Sequence, residues 1–503
     1  MHDSTQPDVQ VAIIGAGFAG LGAAIRLKLS GRDSFVVFER ANDVGGTWRE
    51  NTYPGCACDV PSHLYSYSFA PNPTWSKAYS PQPEIYRYLQ DCVSRFELRG
   101  QIRFNTEILD TRWLEERTCW QLTDQHGHIA TARVVVAAIG PLNRPSIPRL
   151  PGLDTFAGTT FHSARWNHAY DLRGKRVAVI GTGASAIQIV PEIAALAAQL
   201  TVFQRTAPYL NPRNNRAYAP WQQRLYAHFP ALQRVHRSFF YWLNELFGLS
   251  FLGNDTLNKL GTALARKHLE NQITDPVLRQ KAWPTYKLGC KRVLVSDHYF
   301  PALCRPNVEL VTEPIRAITP TGIVTAEGTE RPLDAIILST GFVVADIFVD
   351  QNLTGRNGRN LLGEWAQTGA QALYGVAISG FPNLIFLMGP NTGLGHNSII
   401  HMIESQLNYL MDYLWHLEEA GEGSVLDVKP DRQRTHNHAL QNQLAGTVWA
   451  SGCQSWYMNA RGQNTTIWPD LTVAYRRATR RLHLADYTLE RPQPPVLNTA
   501  ETV

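Results

Sequence analysis

Two glycine turns in this 503-residue chain have the spacing to hold a dinucleotide, and they differ in the residue that would read its ribose. The first is Gly15-Ala-Gly17-Phe-Ala-Gly20, with Glu39 standing 24 residues after Gly15. Such glycines allow a tight turn and let a pyrophosphate approach the backbone at a helix N-terminus. A carboxylate at this distance accepts hydrogen bonds from an unphosphorylated ribose diol. The second turn, Gly181-Thr-Gly183-Ala-Ser185-Ala186, comes 166 residues later and places Arg205, not an acid, 24 residues after its first glycine. A guanidinium binds a 2′-phosphate bidentately, and Thr206 beside it adds a hydroxyl donor. The two turns predict FAD at the first site and NADPH, in preference to NADH, at the second.

The elements around these turns have the grammar that the chemistry needs. Val9 to Ile14 reads as a strand, a helix follows to about Ser30, and the strand Phe35 to Phe38 ends at Glu39. Lys175 to Ile180, a helix to about Ala198 and Leu200 to Phe203 repeat the unit. Arg133 to Ile139 reads as a buried strand ending in Gly140. Pro141 to Pro148 is a proline-stiffened linker, and Leu333 to Leu338 is a further buried strand. Phe381 to Gly389 reads as a strand feeding a glycine-rich loop, Pro390 to Asn397, which would present backbone N–H groups to a flavin ring or phosphate. A long helix from Ile399 to about Glu419 follows.

The fold class is therefore α/β, with two Rossmann-like dinucleotide-binding domains. Residues 1–141 form the first part of the FAD domain. Residues 142–344 form the NADP domain, interrupted by a helical insertion over about 212–288. Residues 345–503 complete the FAD domain and add a C-terminal segment.

Composition excludes other classes. The chain is 44% apolar and 18% charged, an ordinary globular mix. A net charge of +5, spread without a run, does not argue for nucleic acid. Seven cysteines without scaffold spacing point to a reducing cytosol and a cytoplasmic protein. The first ten residues lack the pattern of a signal peptide. No apolar run is long enough to span a membrane. The nearest candidate, Phe239 to Leu252, is broken by Asn244 and Glu245 and reads as a buried helix or a tunnel wall, with contact to a membrane surface as the lesser alternative. No metal-ligand cluster is expected.

Three further motifs resemble one known family. Phe156-Ala-Gly158-Thr-Thr-Phe-His162-Ser-Ala-Arg-Trp166 resembles the fingerprint of type I (class B) Baeyer–Villiger monooxygenases. Gly45-Gly46-Thr-Trp48 through Tyr53-Pro54-Gly55 to Asp59 resembles that family's second signature. Gly289-Cys-Lys291-Arg292 resembles the segment carrying its active-site arginine. Gly393-Leu-Gly395-His396-Asn397 and Ser455-Trp456-Tyr457 are also similar to its C-terminal half. Two positions depart from the pattern. Asn167 stands where Pro or Asp is usual after the fingerprint, which bears on the linker's stiffness. Val293 stands where many relatives have Pro, which marks a subgroup.

The resemblance implies an FAD- and NADPH-dependent enzyme that uses O₂ to convert a ketone into an ester or lactone through a C4a-peroxyflavin. An anionic peroxide in a dry site needs a permanent cation, and Arg292 is the matching residue. Asp59 would fix it. The resemblance gives Lys291 a place at the 2′-phosphate with Arg205 and Thr206, and makes Gly46 and Trp48 part of the flavin loop. His162 and Trp166 become a hinge rather than acid–base groups. Trp456 either closes the pocket or packs in the core.

Two alternatives differ in the reactive group. A flavin-containing N- or S-oxygenase shares the fold but usually lacks Trp at the fingerprint's end and the Asp/Arg pair. A flavoprotein disulfide reductase would use Cys56 and Cys58, but such pairs are separated by two or four residues, and a Cys-x-Cys bridge is strained.

Overall fold

The computed structural model describes residues 6–344, 352–453 and 455–491, so the expected second part of the FAD domain begins, at 345, outside the described residues. The first half of the chain supplies β1 (Val9–Ile14), β2 (Phe35–Phe38), β3 (Ile102–Arg103), β4 (Ile108–Leu114), β5 (Cys119–Asp124) and β6 (Ile129–Ala137). β1 lies in parallel between β2 and β6, with Val11 opposite both Phe35 and Val134. Side chains alternate across a strand, so β1 feeds two cores. Val11 and Ile13 pack with Leu21 of helix α1 (Phe18–Leu29), whereas Ala12 and Ile14 pack with Trp120 and Phe386. Burial on both faces explains why this strand reads as a continuous apolar run.

A second, five-stranded sheet takes β7 (Thr159–His162), β8 (Arg176–Ile180), β9 (Gln199–Phe203), β12 (Val308–Val311) and β16 (Ala335–Leu338). Its order is β12-β9-β8-β16-β7, and all four pairings are parallel. The short strands β10 (Leu210–Asn211) and β11 (Leu294–Val295) pair with each other. β13 (Ile315–Thr319), β14 (Gly322–Thr325) and β15 (Glu330–Pro332) form a small antiparallel sheet. The chain then returns to the first sheet: β17 (Asn352–Thr354) pairs with β4, and β18 (Leu384–Phe386) pairs with β6.

Among the helices, α2 (Thr47–Glu50) and α3 (Gln82–Arg95) follow β2, and α4 (Ala186–Ile193) follows β8. α4 stops short of the predicted Ala198. Asn307 takes carbonyls just past its end, donating from Nδ2 to Ala194 O at 2.9 Å and Ala197 O at 3.0 Å. The region predicted as an insertion contains α5 (Pro220–His228), α6 (Pro230–Gly248), α7 (Asp255–Gln272) and α8 (Pro276–Lys281). One expectation fails there: Phe239, Trp242, Leu243 and Leu246 of α6 face outward rather than lining a core or tunnel. The residues that α6 buries are Gln233, Glu245 and Gly248. After α9 (Tyr299–Leu303) and α10 (Leu361–Thr368), the predicted long helix appears as α11 (Ile399–Ala420), packed on α1.

Candidate active site

The first glycine turn sits at the C-terminal end of β1, where a parallel sheet opens a crevice. A Cβ at Gly20 would run into the Gly15 carbonyl, so α1 can pack this closely only on glycine. The N-cap of α1, Gly17, offers no side-chain cap, and the first turn carries no acid, so its N–H groups are left for an anion. A Cβ at Gly46 would lie 3.1 Å from the Gly17 Cα, so the second signature loop passes directly against the turn. Glu39 is buried and held by two N–H groups, from Ala16 to Oε2 at 2.8 Å and from Ala41 to Oε1 at 2.9 Å. The carboxylate is thereby fixed at the end of β2, with lone pairs to spare for hydroxyl donors. These residues fit a dinucleotide bearing an unphosphorylated ribose.

The second turn is built differently. Space is open beside Gly183, and Ser185 at the start of α4 does not cap it. Lys291 donates to the Thr206 hydroxyl at 3.3 Å. Burial and then the nearby Arg205 charge push the Lys291 amine below its usual range. Neither cation is ion-paired among the described residues. Two unneutralised cations and a hydroxyl gathered around one spot fit a phosphate.

Asp59 and Arg292, 233 residues apart, meet in a fork. Arg292 donates from Nε to Oδ2 at 3.0 Å and from Nη2 to Oδ1 at 2.8 Å and Oδ2 at 2.7 Å. Asp59 holds Arg292 firmly in its charged form. Nη1 has no partner among the described residues, so one edge of the guanidinium remains available. The side chains are 37% and 24% exposed, so the pair is partly open to solvent rather than sealed in the core. Arg292 leads into β11, whose pairing with β10 fixes the segment. A Cβ at Gly289 would collide with the Phe251 ring, so the approach to Lys291 and Arg292 also depends on glycine.

Several neighbours were not foreseen in the sequence. Gln188 of α4 accepts from the Tyr53 hydroxyl at 3.1 Å and donates to Ala57 O at 2.9 Å, binding the signature loop to the second nucleotide unit. Arg213 donates to Cys58 O at 2.7 Å. Arg165 pairs with Glu50 at 2.8 Å, joining the fingerprint to α2. Only the tertiary fold brings these residues together, and no local motif marks them.

The fingerprint residues build the linker. A Cβ at Gly158 would lie 2.6 Å from both Asp334 O and the Phe156 ring. His162 is buried, its Nδ1 accepts from Ala164 N at 3.1 Å, and burial lowers its pKa. Both the accepting Nδ1 and the burial favour the neutral imidazole. Trp166 packs edge-on against Phe161 at 5.1 Å. Asn167 accepts from Ala169 N at 3.1 Å, so the departure supplies its own turn. Val293 packs with Phe251 and its neighbours. Trp48 donates to the Tyr65 hydroxyl at 3.1 Å.

The cysteines depart from expectation. The structure pairs Cys290 with Cys453, a disulfide across 163 residues that spacing did not reveal. It ties the Lys291–Arg292 segment to the loop carrying Trp456 and Tyr457. Trp456 is 44% exposed, whereas Tyr457 is buried with its phenol pushed up to about 12 by burial, against the opposing pull of Arg292. Cys56 and Cys58 are free and buried. Burial raises both thiols, Cys56 to about 12, so neither is a ready thiolate for disulfide exchange. In the loop 390–397, the N–H groups of Asn391 and Gly393 donate to Thr465 O and Thr466 O. His396 and Asn397 instead donate to the buried carboxylate of Glu245, at 3.2 Å and 2.6 Å.

The chain resembles known proteins over nearly its whole length. The flavin-binding monooxygenase-like family matches residues 8–362. A Baeyer–Villiger monooxygenase of Streptomyces coelicolor is 48% identical over 496 residues, covering 98% of this chain and 95% of the relative. A Baeyer–Villiger monooxygenase of Pseudomonas aeruginosa is 48% identical over 494 residues, covering 97% and 93%. Among solved structures, an oxidised steroid monooxygenase bound to NADP is similar with a TM-score of 0.86 and 31% identity, covering 96% of this chain and 100% of that one. The closed form of cyclohexanone monooxygenase is similar with a TM-score of 0.85 and 29% identity, covering 96% and 99%.

Proposed function

The chain belongs to the flavin-binding monooxygenase-like family, and we propose that within it Asp59 and Arg292 are the catalytic pair of an FAD-containing, NADPH-dependent Baeyer–Villiger monooxygenase. The enzyme inserts one oxygen atom of O₂ beside a ketone carbonyl, giving an ester or lactone. When bound, FAD supplies the two-electron and oxygen chemistry and NADPH supplies the hydride.

The protein's own groups bind, orient and stabilise charge. Gly15, Gly17, Gly20 and Gly46 line the FAD cradle, and Glu39 accepts from its ribose. Gly181, Gly183 and Ser185 receive the NADP pyrophosphate, and Arg205, Thr206 and Lys291 receive the 2′-phosphate. Residues 1–141 and 345–503 are read as the FAD unit, and 142–344 as the NADP unit.

Negative charge develops on oxygen when a ketone carbonyl is attacked. A preorganised donor at that oxygen is worth about 10²–10³ in rate. Arg292 suits the task because it cannot lose its proton, and because Asp59 orients it while leaving Nη1 free. The observation that carries the reading is this fork next to Lys291: one segment supplies a cation for each of two anions. Phe156, Gly158, His162 and Trp166 form the hinge between the nucleotide units, and the Arg165–Glu50 pair lets it act on α2. The test is NADPH consumption by the flavin-loaded protein with ketone, sulfide and amine panels, with products identified. Esters or lactones are expected, and N- or S-oxides alone would overturn the assignment.

A further inference from the structure

α6 carries an apolar stripe that it leaves exposed. Leu232, Val235, Phe239, Trp242, Leu243 and Leu246 are between 44% and 65% exposed. Five of them repeat at steps of three and four residues, which puts them in one stripe. The side that faces the protein packs Phe240, Tyr241 and Phe247 on the core and is held in addition by buried polar groups. Gln233 donates to Asn72 O at 2.7 Å, Arg237 to Ser66 O at 2.7 Å, and Glu245 accepts from Thr472 at 2.7 Å and Asn397 at 2.6 Å. Those buried ties fix the helix's rotation, so its apolar side cannot turn inward.

The neighbouring helices expose further apolar side chains. Trp221 on α5 and Phe229 at the start of α6 are 64% and 58% exposed; Leu260 and Leu264, four residues apart on α7, are 58% and 55% exposed. With about 150–250 Å² per aromatic side chain, the open apolar area is on the order of 1000 Å².

Charge decides what covers it. The same three helices expose Arg224, Arg234, Lys259, Arg266 and Lys267, against the acids Asp255 and Glu270. Asp255 is already paired with Lys287 at 2.6 Å. A second copy would set one positive rim against another, whereas a layer of lipid phosphates is complementary to it. Aromatic and leucine side chains on one face with lysine and arginine at the edge are the pattern of a helix lying in a lipid headgroup interface. Among the described residues, no helix is long and apolar enough to cross a membrane.

We propose that helices α5–α7 dock this chain on an anionic lipid surface, with α6 in the headgroup plane and Phe239, Trp242 and Leu246 inserted. The experiment uses the full flavin-loaded chain, sedimented with phosphatidylcholine vesicles and with vesicles containing about one-third phosphatidylglycerol, at low and high salt. Wild type is expected to pellet with the anionic vesicles and to be released as salt rises. Phe239→Ser/Trp242→Ser/Leu246→Ser should lower vesicle affinity more than tenfold. Arg234→Glu/Lys267→Glu should lower it about tenfold or more, each basic residue near the surface being worth about fivefold. Both variants should keep wild-type turnover of a water-soluble ketone and wild-type melting curves. The proposal is overturned if wild type stays in the supernatant, if either variant pellets like wild type, or if light scattering finds a dimer that the triple substitution splits.

Discussion

Replacing Arg292 with alanine separates the two tasks of its segment. Asp59 and Arg292 are joined by three close N–H···O contacts but are 24% and 37% exposed. An exposed pair is worth up to about 1 kcal/mol and breaking a buried one costs about 3–5 kcal/mol, so this pair should contribute about 1–2 kcal/mol to folding. A chain of 503 residues then melts only a few degrees lower. The catalytic loss should be larger. Removing a preorganised donor costs about 10²–10³ in rate, and here the donor is a full charge with Nη1 unengaged. Arg292→Ala is therefore expected to lower ester or lactone formation at least about a hundredfold, while NADPH still reduces the flavin within about threefold of wild type. Arg292→Lys keeps the charge but loses the fork, and should fall between. Stopped-flow absorbance under nitrogen reads the reduction; gas chromatography in air reads the product. Ester formation within about fivefold of wild type in Arg292→Ala would refute the assignment, and equal losses in reduction and oxygenation would show that Arg292 acts on cofactor binding instead.

Three other outcomes test separate parts of the structure. Arg205→Ala should raise KM for NADPH about 10–100-fold and leave KM for NADH within about threefold, since a hydrogen bond to a charged group is worth about 1.5–3 kcal/mol; equal rises would count against the 2′-phosphate site. Glu245, 2% exposed, has its carboxyl lowered to about 2 by hydrogen bonds from His396, Thr472 and Asn397 that outweigh its burial. A carboxyl lowered in the fold stabilises it above the ordinary pKa, so about 3 kcal/mol should be lost as pH falls from about 5 to 2. Glu245→Gln should flatten that limb of the stability–pH curve, and an unchanged limb would show that other groups cause it. Thiol titration of the denatured chain should find the five free cysteines without reductant and more after reduction. The Cys290–Cys453 bridge closes 163 residues, worth up to about 5 kcal/mol by chain entropy. Full titration of every cysteine without reductant would exclude the bridge.

Features that depend on neighbouring residues were legible before any fold was known. A glycine turn, its flanking strands and the residue closing the second strand lie within about 30 residues, so Glu39 and Arg205 could be given opposite ribose preferences from the chain alone. The long helix α11 and the buried strands were legible for the same reason: periodicity is local. The resemblance marked Asp59 and Arg292 as a pair, without their geometry. How they meet, that Nη1 is left over, and that Lys291 turns to Thr206 while Arg292 turns to Asp59 are products of the tertiary fold. Gln188, Arg213 and the Arg165–Glu50 pair gave no signal, because a lone polar residue reads alike whether it faces water or a distant loop. The cysteine count could not disclose the 290–453 bridge for that reason. The apolar run from Phe239 misled because hydrophobicity predicts burial only on average. On α6 buried polar bonds, with the packing of Phe240, Tyr241 and Phe247, set the rotation and left a second apolar stripe outward.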